Sequence, residues 1–333
     1  MKVLLLGATG LLGHNVLLEL LGRGIPVVAL VRNRSRLALS DQCCSHPLLS
    51  VREGSLLNDR VLRNSAADCD AIINCAGTTD MSLLHYDDYL PVNRDLVGRL
   101  LHLMEELPVG ALVHVSTANT IGFGNPDHNA TEDDTIQKPF ADSFYAQSKL
   151  EGEGLVAEWA AAHPDRHLVV LNPGFMVGAY DTHPSSGKLL LSAYRRRFMA
   201  APKGGKSFVH VGDVAQAAVN ALTMGRSGHR YLLTGVNCSL KGFFLLQAQQ
   251  QGYRQRVISL PNWLVSLAGR LGDVLRCCHI ATQLSTRNVR QLMVSEYYDC
   301  SKARNELAFP QSPLPKAVSD FYDWYGSYLH HSK

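Results

Sequence analysis

Short apolar runs alternate with longer segments of helical hydrophobic spacing over the first two thirds of the chain. Continuous apolar strands between helices are typical of parallel β-α-β units whose sheet is covered on both faces. The pattern therefore predicts an α/β fold with a doubly wound parallel Rossmann sheet and a ligand crevice at the carboxyl ends of its strands. The predicted strands are 2–6, 26–31, 48–51, 71–74, 111–115, 167–171 and 231–233, and the helices between them include 11–23, 93–106, 143–162 and 214–222.

The last third of the chain has a different pattern, in which helical segments are separated by Pro and Gly. Helices are predicted at 240–251, 263–275 and 315–328. We expect residues 1–177 and about 207–236 to form a dinucleotide-binding domain. Residues of about 178–206 and 237–333 would form a smaller, mostly helical substrate-binding lobe. Segment 263–275 is too short to span a bilayer, and a core or lid helix is the favoured interpretation over membrane contact.

Composition and charge exclude several classes of protein. The chain has 333 residues with 32 Lys and Arg against 29 Asp and Glu, so it has no chain-wide basic field of the kind that binds nucleic acid. No apolar stretch is long enough for a membrane span. The first apolar run stops at Gly7 without a cleavage-site pattern, which predicts a cytoplasmic protein with reduced cysteines. None of the eight cysteines forms a C-x-x-C pair, so no metal site is predicted.

A glycine-rich loop lies between the first predicted strand and the first predicted helix. It has the pattern G-x-x-G-x-x-G, and glycine there lets a pyrophosphate approach the backbone at a helix N-terminus. The alternative is a tight turn that needs glycine only for packing. The candidate cofactor contacts are Gly7, Thr9, Gly10, Leu11, Leu12 and Gly13.

The end of the second strand bears on the choice of dinucleotide. NAD sites usually place an acidic residue there to bind the ribose hydroxyls. This chain has Arg32, followed by Arg34 and Arg36, and guanidinium groups can bind a 2′-phosphate. NADP(H) is therefore favoured over NAD(H), the alternative being a solvated basic loop.

Tyr145 and Lys149 form a Y-x-x-x-K pattern within a predicted helix. Positions i and i+4 share one side of a helix, and a neighbouring ammonium should lower the tyrosine pKa from about 10. The alternative is an exposed helical pair. Thr117 follows the fifth strand, where its hydroxyl could bond to the oxygen that gains charge in a hydride transfer. Strand-end capping is the favoured role for Ser116 and Thr120.

Taken together, these motifs resemble the extended short-chain dehydrogenase/reductase family, within the NAD(P)-dependent epimerase/dehydratase superfamily. Segments 171–178, 184–187, 208–215, 230–235 and 298–303 resemble its dihydroflavonol-reductase-like branch. The resemblance implies a catalytic triad of Thr117, Tyr145 and Lys149. It also implies an NADP-type role for Arg32. The implied cofactor contacts also include Arg36, Ser55, Leu56, Cys75, Ala76, Gly77, Val115, Tyr145, Lys149, Pro173, Gly174, Val177 and Ser186.

Some of these implied roles are more specific, and one position departs from the family pattern. Pro173 and Val177 would border the nicotinamide, and Ser186 would reach a phosphate. Residues 75–77 would lie along the adenosine and pyrophosphate part of the cofactor. Ser55 stands where the family usually has Asp, which puts the adenine contact in doubt. Asn93 matches a family asparagine whose role would be a buried cap or a proton relay.

The pattern favours one reaction without excluding others. Related dehydratases follow the threonine with Asp-Glu, whereas this chain has Ala118 and Asn119, which cannot move a proton. We expect an NADPH-dependent reductase of a ketone or aldehyde. The alternatives are an NAD-dependent nucleotide-sugar epimerase or hydroxysteroid-type dehydrogenase and, as a third, a nonenzymatic dinucleotide-sensing protein.

The expected partner is a small carbonyl or hydroxyl compound, and a homodimer is considered. The basic run 195–197 is interpreted as a solvated helix face rather than an anion site. The candidate lining residues, which could equally be core, are Phe175, Met176, Tyr180, Phe198 and Trp263.

Overall fold

A seven-stranded parallel sheet forms the centre of the protein, in a computed structural model that describes residues 1–37, 46–182, 186–278, 280, 282 and 284–331. Its strands are β1 (Val3–Leu6), β2 (Val27–Val31), β3 (Leu49–Glu53), β4 (Ala71–Asn74), β5 (Ala111–Val115), β6 (His167–Pro173) and β10 (Arg230–Leu233). They lie in the order β3-β2-β1-β4-β5-β6-β10. The order reverses between β1 and β4, and a crevice opens there at the carboxyl ends of the strands.

Helices cover both faces of this sheet. The helices of one face are α1 (Leu11–Gly22) and α6 (Val211–Asn220), and those of the other are α2 (Asp59–Ala66), α3 (Leu96–Glu106) and α4 (Phe144–Ala162). Alternate residues of β1 enter opposite layers, with Val3 and Leu5 in one core and Leu4 and Leu6 in the other. Because both faces are buried, the strand is apolar throughout.

A smaller region packs on the carboxyl side of the sheet and contains strands as well as helices. The strands are β7 (Phe175–Val177), β8 (Phe198–Ala201), β9 (Gly205–His210), β11 (Val236–Ser239) and β12 (Arg256–Ser259), in sheets β11-β9-β7 and β12-β8. The helices are α5 (Gly187–Ala193), α7 (Leu240–Gln250), α8 (Asn262–Cys277), α9 (Thr286–Gln291), α10 (Ser301–Glu306) and α11 (Leu314–His331). Helices α5, α7 and α11 enclose a separate core around Phe208, Phe243 and Phe321, whereas α10 packs on one core of the central sheet through Ala303.

The doubly wound α/β fold is confirmed, with differences in detail. The hydrophobic pattern does not predict α2 or the five short strands of the smaller region. Most of these elements contain polar and exposed residues and few buried ones. The predicted helix 93–106 is a π-helical turn, Pro91–Asp95, followed by α3. The helix at 263–275 is not a fully buried core helix, since Trp263 is 68% exposed while Val265 and Gly269 are buried, and its role as a lid stays a prediction.

Other expectations concern the membrane and the cysteines. None of the helices in the described ranges is both long and apolar enough to cross a bilayer. Six cysteines are free thiols, namely Cys69, Cys75, Cys238, Cys277, Cys278 and Cys300. Cys43 and Cys44 lie outside the described residues, as do Pro184 and Ser185 of the resemblance motif.

Two glycines of α1 provide a matched test of the packing. A Cβ on Gly13 would lie 2.1 Å from the Gly7 carbonyl oxygen, whereas a Cβ on Gly22 would meet nothing within 4 Å. We expect Gly13→Ala to lower the free energy of unfolding by about 1–3 kcal/mol, because backbone must shift to admit the methyl group. Gly22→Ala should change it by less than about 1 kcal/mol, on the stabilising side. Urea unfolding of both variants measures the difference, and equal midpoints would contradict this account.

Candidate active site

The glycine loop after β1 has both a packing role and an open helix end. Gly7 has φ +81°, and a Cβ there would lie 2.7 Å from the Ala76 nitrogen. Gly7 and Gly13 are therefore explained by close backbone approach. Gly10 is different, because it is the exposed N-cap of α1 and no side chain of the described residues caps that helix. Its first N–H groups are free to bind an anion.

The other loop positions contribute backbone rather than side chain. Leu12 is buried in the core, so that only its N–H can face a ligand, while Thr9 and Leu11 are half-buried. The carbonyl of Thr9 accepts a hydrogen bond from Thr182 at 3.5 Å. The predicted set is thus placed together at one helix N-terminus beside the sheet crevice.

The loop that follows β4 faces this helix end. Burial raises the pKa of the Cys75 thiol to about 12, so the thiol stays protonated. The Ala76 nitrogen donates to the Asn74 side chain at 3.1 Å, and Gly77 is exposed. A Cβ on Gly77 would lie 3.0 Å from the Lys149 ammonium nitrogen, so this glycine makes room for the lysine.

The end of β2 carries exposed arginines and a nearby carboxylate. Arg32 is exposed directly after the strand, and Arg36 ends a short 3-10 turn, Arg34–Arg36. The Glu53 carboxylate accepts a hydrogen bond from the Arg34 nitrogen at 2.6 Å. Sequence reasoning missed Glu53 because it comes from β3, whose register sets it opposite Val31.

The predicted triad residues Thr117, Tyr145 and Lys149 come together at the carboxyl edge of β5. Thr117 is 8% exposed just after the strand, its Oγ1 accepts from the Asn119 nitrogen at 3.3 Å, and its side chain lies near the phenol of Tyr145 in the first turn of α4. Burial raises the pKa of Tyr145 to about 12, although the bond to Thr117 opposes the shift. The phenol is therefore protonated at neutral pH and can donate a proton.

Lys149 is buried one helical turn after Tyr145. Its ammonium donates to the carbonyl of Val115 at 2.9 Å and to that of Ala76 at 3.4 Å. Burial lowers the pKa of Lys149 to about 8, while the Glu153 carboxylate opposes this. The expected lowering of the Tyr145 pKa is wrong for the chain's own groups, because burial of the phenol dominates.

The structure also adds Glu153, which sequence reasoning missed. Its buried carboxylate accepts from the Thr120 hydroxyl at 2.6 Å and from the Asn172 amide at 2.7 Å. Burial raises the pKa of Glu153, and these hydrogen bonds oppose the shift. The available signal was helical spacing, since Glu153 is four residues after Lys149 and shares its side of α4.

The hydroxyl groups of Ser116, Thr117 and Thr120, which follow β5, differ in their contacts with this network. The Asn172 amide also donates to the Thr117 carbonyl at 3.0 Å, which fixes the Thr117 backbone. Thr120 donates to the Glu153 carboxylate, and the buried Ser116 Oγ has no hydrogen-bond partner among the described residues, whereas the Thr117 side chain lies near Tyr145. Thr120 therefore has a structural role in this network, because its hydroxyl donates to the Thr117 carbonyl and to Glu153, while the catalytic role of Thr117 stays a prediction.

Asn93 lies fully buried in the π-helical turn. Its Oδ1 accepts from the Thr78 nitrogen at 2.8 Å, and its Nδ2 donates to the Ser148 hydroxyl at 2.9 Å and the Thr78 carbonyl at 3.1 Å. These bonds tie the loop after β4 to α4. Asn93 is therefore a buried cap in this arrangement.

The remaining predicted cofactor positions differ in what they can offer. Pro173 ends β6 in a buried position, and Val177 is 1% exposed within the smaller core, so its side chain packs rather than faces a ligand. Gly174 presses against β9, where a Cβ would lie 2.7 Å from the Ser207 carbonyl oxygen. Ser186 precedes α5 without capping it through its side chain.

The loop after β3 contains the two other predicted positions. Ser55 is exposed and accepts from the Leu57 nitrogen at 3.2 Å, and half-buried Leu56 packs on the core.

The candidate substrate-lining residues do not form one pocket. Tyr180 stacks on His14 of α1 with ring centroids 4.1 Å apart, and Phe175 packs edge-on against Phe208. Phe198 and Trp263 are exposed, as is the run 195–197, while Met176 packs on the sheet core. A cavity of about 420 Å³ lies elsewhere, between the start of α4 and α9, beside residues Phe144, Gln147, Arg287 and Arg290.

Comparison with known proteins agrees with this geometry. The profile of the NAD dependent epimerase/dehydratase family matches residues 3–233. A Synechocystis protein named after dihydroflavonol 4-reductase is 28% identical, covering 96% of this chain and 93% of its own. A ketoreductase from Stigmatella aurantiaca, named for a farnesylated quinoline-oxide substrate, is 29% identical over 83% of this chain and 80% of its own.

Solved structures show the same fold. A Bacillus cereus UDP-glucuronic acid 4-epimerase, solved with a fluorinated substrate analogue and NAD, has a TM-score of 0.77 at 16% identity. The likeness covers 98% of this chain and all of the epimerase. The family profile covers well over half of the chain, and the site has the residues that the family motifs predict. The chain therefore belongs to the NAD dependent epimerase/dehydratase family, as an NAD(P)-dependent oxidoreductase of the extended short-chain dehydrogenase type.

Proposed function

We propose that this protein is an NADPH-dependent reductase of a ketone or an aldehyde. The observation that carries the proposal is the placement of the Thr117 and Tyr145 side chains next to each other at the carboxyl edge of β5, one helical turn before the buried Lys149 ammonium. A protonated phenol is ready to supply the proton that a reduced carbonyl oxygen needs. Ala118 and Asn119 replace the acid–base pair of dehydratases, and a similar Stigmatella aurantiaca protein carries the name ketoreductase. These features support reduction over dehydration.

Each triad residue has a distinct task in this proposal. The dinucleotide, when bound, supplies the hydride to the carbonyl carbon. Tyr145 donates its phenolic proton to the carbonyl oxygen, so the product is an alcohol. Thr117 hydrogen-bonds that oxygen as negative charge develops. Lys149 holds a positive charge beneath the site, anchored on the Val115 and Ala76 carbonyls.

The chain's own residues fit a dinucleotide along the crevice. The open N-terminus of α1 at Gly10 suits a pyrophosphate, and the exposed Gly77 lies between solvent on that side and the buried Lys149 ammonium. Exposed Arg32 supports NADP(H), because a guanidinium can pair with a 2′-phosphate. Glu53 stands nearby, yet its carboxylate accepts the Arg34 N–H. In this proposal residues 178–206 and 237–333 form the lobe that holds the substrate.

Activity screening with a panel of ketones and aldehydes tests the proposal directly. We expect oxidation of NADPH, faster than of NADH, with at least one carbonyl compound. Tightly retained NAD on the purified protein, together with epimerisation of a nucleotide sugar and no carbonyl reduction, would favour the epimerase alternative instead.

Tyr145→Phe tests the proton donor. The change removes the hydroxyl and keeps the ring, so turnover should fall by about 10²–10⁴-fold, the usual range for general acid catalysis. Dinucleotide affinity should stay nearly constant. Steady-state kinetics and a binding titration measure the two effects, and full activity in this variant would end the catalytic interpretation.

Thr117→Val and Ser116→Ala compare two neighbouring hydroxyls. Thr117→Val should lower turnover more, by about 10-fold or above, because it removes a donor to the developing oxyanion. Ser116→Ala should change turnover little, because the buried Ser116 Oγ makes no hydrogen bond within the described residues. A larger loss of kcat in Ser116→Ala, with an unchanged unfolding midpoint, would show that we assigned the wrong hydroxyl.

Arg32→Ala tests the choice of dinucleotide. Hydrogen bonds to charged groups contribute about 1.5–3 kcal/mol, which corresponds to a roughly 10- to 100-fold weaker Kd for NADPH. NADH binding should change little. Arg34→Ala is the matched control, also an exposed arginine of the same loop, and should have a smaller effect. Wild-type protein that binds NADH as tightly as NADPH would contradict the assignment.

A further inference from the structure

Helix α8 exposes its apolar side to solvent. Trp263 is 68% exposed, Leu271 and Val274 are each 61% exposed, and Leu264, Leu267 and Leu275 are at least 38% exposed. At about 100° per residue, all six side chains fall within an arc of about 120° on one side of the helix. This is a continuous apolar stripe rather than scattered surface leucines.

The opposite side of α8 is fixed against α9 and the segment before it. A Cβ on Gly272 would lie 2.3 Å from the Leu284 carbonyl oxygen, and one on Gly269 would lie 2.5 Å from Val289. The Asp273 carboxylate accepts from the Thr286 nitrogen at 3.0 Å. The helix is therefore held by its glycine side, and rotation to bury the leucines would break this close contact.

The ribbon of β8 and β12, which precedes α8 in the chain, exposes apolar side chains as well. Phe198 of β8 is 55% exposed and Ile258 of β12 is 60% exposed. Val257, which directly precedes Ile258, is buried on the other face of the ribbon. Ile258 comes five residues before Trp263, so the outer face of the ribbon leads directly into the stripe. We call the exposed residues of this ribbon and of α8, with the loop 195–197, the α8 surface.

Charge around the α8 surface is strongly one-sided. Residues 186–206 and 254–278 hold ten of the chain's 32 lysines and arginines but one of its 29 aspartates and glutamates. That one is Asp273, which is turned toward Thr286. Arg195, Arg196, Arg197 and Arg256 are exposed around the ribbon, and Arg270 is exposed at the edge of the stripe.

We propose that the α8 surface docks on the face of a lipid bilayer that contains anionic lipids. An apolar stripe with Trp and Leu, bordered by arginines on a helix that carries no exposed carboxylate of its own, is the pattern of helices that lie in the membrane interface. The apolar side chains enter the acyl boundary, and the arginines pair with anionic headgroups. With sixteen residues, α8 lies along the interface and does not cross it.

This docking would place the bilayer beside the active site. Arg276 of α8 donates to the Met81 carbonyl at 2.8 Å, in the segment after β4, and Arg287 of α9 lies over the Phe144 ring at 3.8 Å. Phe144 immediately precedes Tyr145. A bilayer-dissolved carbonyl compound would thus have a short route to the site, a consequence that rests on the proposed function, whereas the docking itself does not.

Co-sedimentation with vesicles tests the docking without any activity measurement. We expect binding to phosphatidylcholine vesicles that contain about 30% phosphatidylglycerol, weak binding to pure phosphatidylcholine, and release at high salt. Fluorescence gives a second readout, because the emission of exposed Trp263 should shift to shorter wavelength on binding. Trp263→Phe should remove that shift.

Matched variants separate the apolar and the charged contributions. Leu271→Gln combined with Val274→Gln should weaken vesicle binding at least tenfold. Leu57→Gln combined with Leu329→Gln should not, because these leucines are exposed elsewhere at 39% and 45%. Replacing Arg195, Arg196 and Arg197 by Gln should reduce the preference for anionic vesicles. Unfolding midpoints confirm that the variants fold.

Two outcomes would overturn the proposal. The first is a lack of the expected selectivity, in which the wild-type protein binds neither type of vesicle or binds both types equally at every salt concentration. The other is an oligomer that Leu271→Gln with Val274→Gln dissociates in gel filtration, in the absence of vesicle binding. The second outcome would make the α8 surface a contact between copies of this chain. Neither outcome depends on dinucleotide binding or on turnover, so the proposed reductase function would still be open to its own tests.

Discussion

The buried ammonium of Lys149 is the constraint around which this site is built. A cation with 3% exposure is costly unless fixed partners replace its water. Those partners are the Val115 carbonyl at the end of β5 and the Ala76 carbonyl after β4. They satisfy the lysine only when α4 is seated over the carboxyl edge of both strands. The small size of Gly77 leaves the space for it. The sheet order and the position of α4 thus set the active-site geometry together.

Once α4 is seated, the other groups follow from helical spacing. Tyr145, Lys149 and Glu153 lie four residues apart and share one side of the helix. Glu153 then binds Asn172 and Thr120, and Asn172 in turn holds the Thr117 carbonyl. Glu153 makes no hydrogen bond to the side chain of Thr117 or Tyr145. It nevertheless fixes the backbone of Thr117 through Asn172. The buried network links β5, β6 and α4, and it keeps the Thr117 side chain turned toward Tyr145.

Sequence reasoning succeeds here where burial on both faces dictates composition. Strands β4 and β5 have the predicted bounds, because every residue of each is buried and all but Asn74 and His114 are apolar. It fails for β11 and β12, four-residue strands with polar or exposed members. It also misses Glu53, since strand register rather than chain proximity brings that carboxylate to the end of β2. The pKa of Tyr145 could not be inferred from its neighbour at i+4, because its direction depends on burial.

Helix α8 shows why periodicity alone does not assign a core. The spacing of its leucines establishes that they share a side, but the side that faces the protein is decided by packing distance. Gly269 and Gly272 allow α9 to approach more closely than leucines would, and the leucines are left in solvent. Net charge has a similar limit. A formal charge of +3 excludes a chain-wide field, yet two segments hold nearly a third of the basic residues and almost none of the acidic ones. Interfaces respond to the local field within about 10 Å, so the distribution, and not the total, determines which surfaces attract anions.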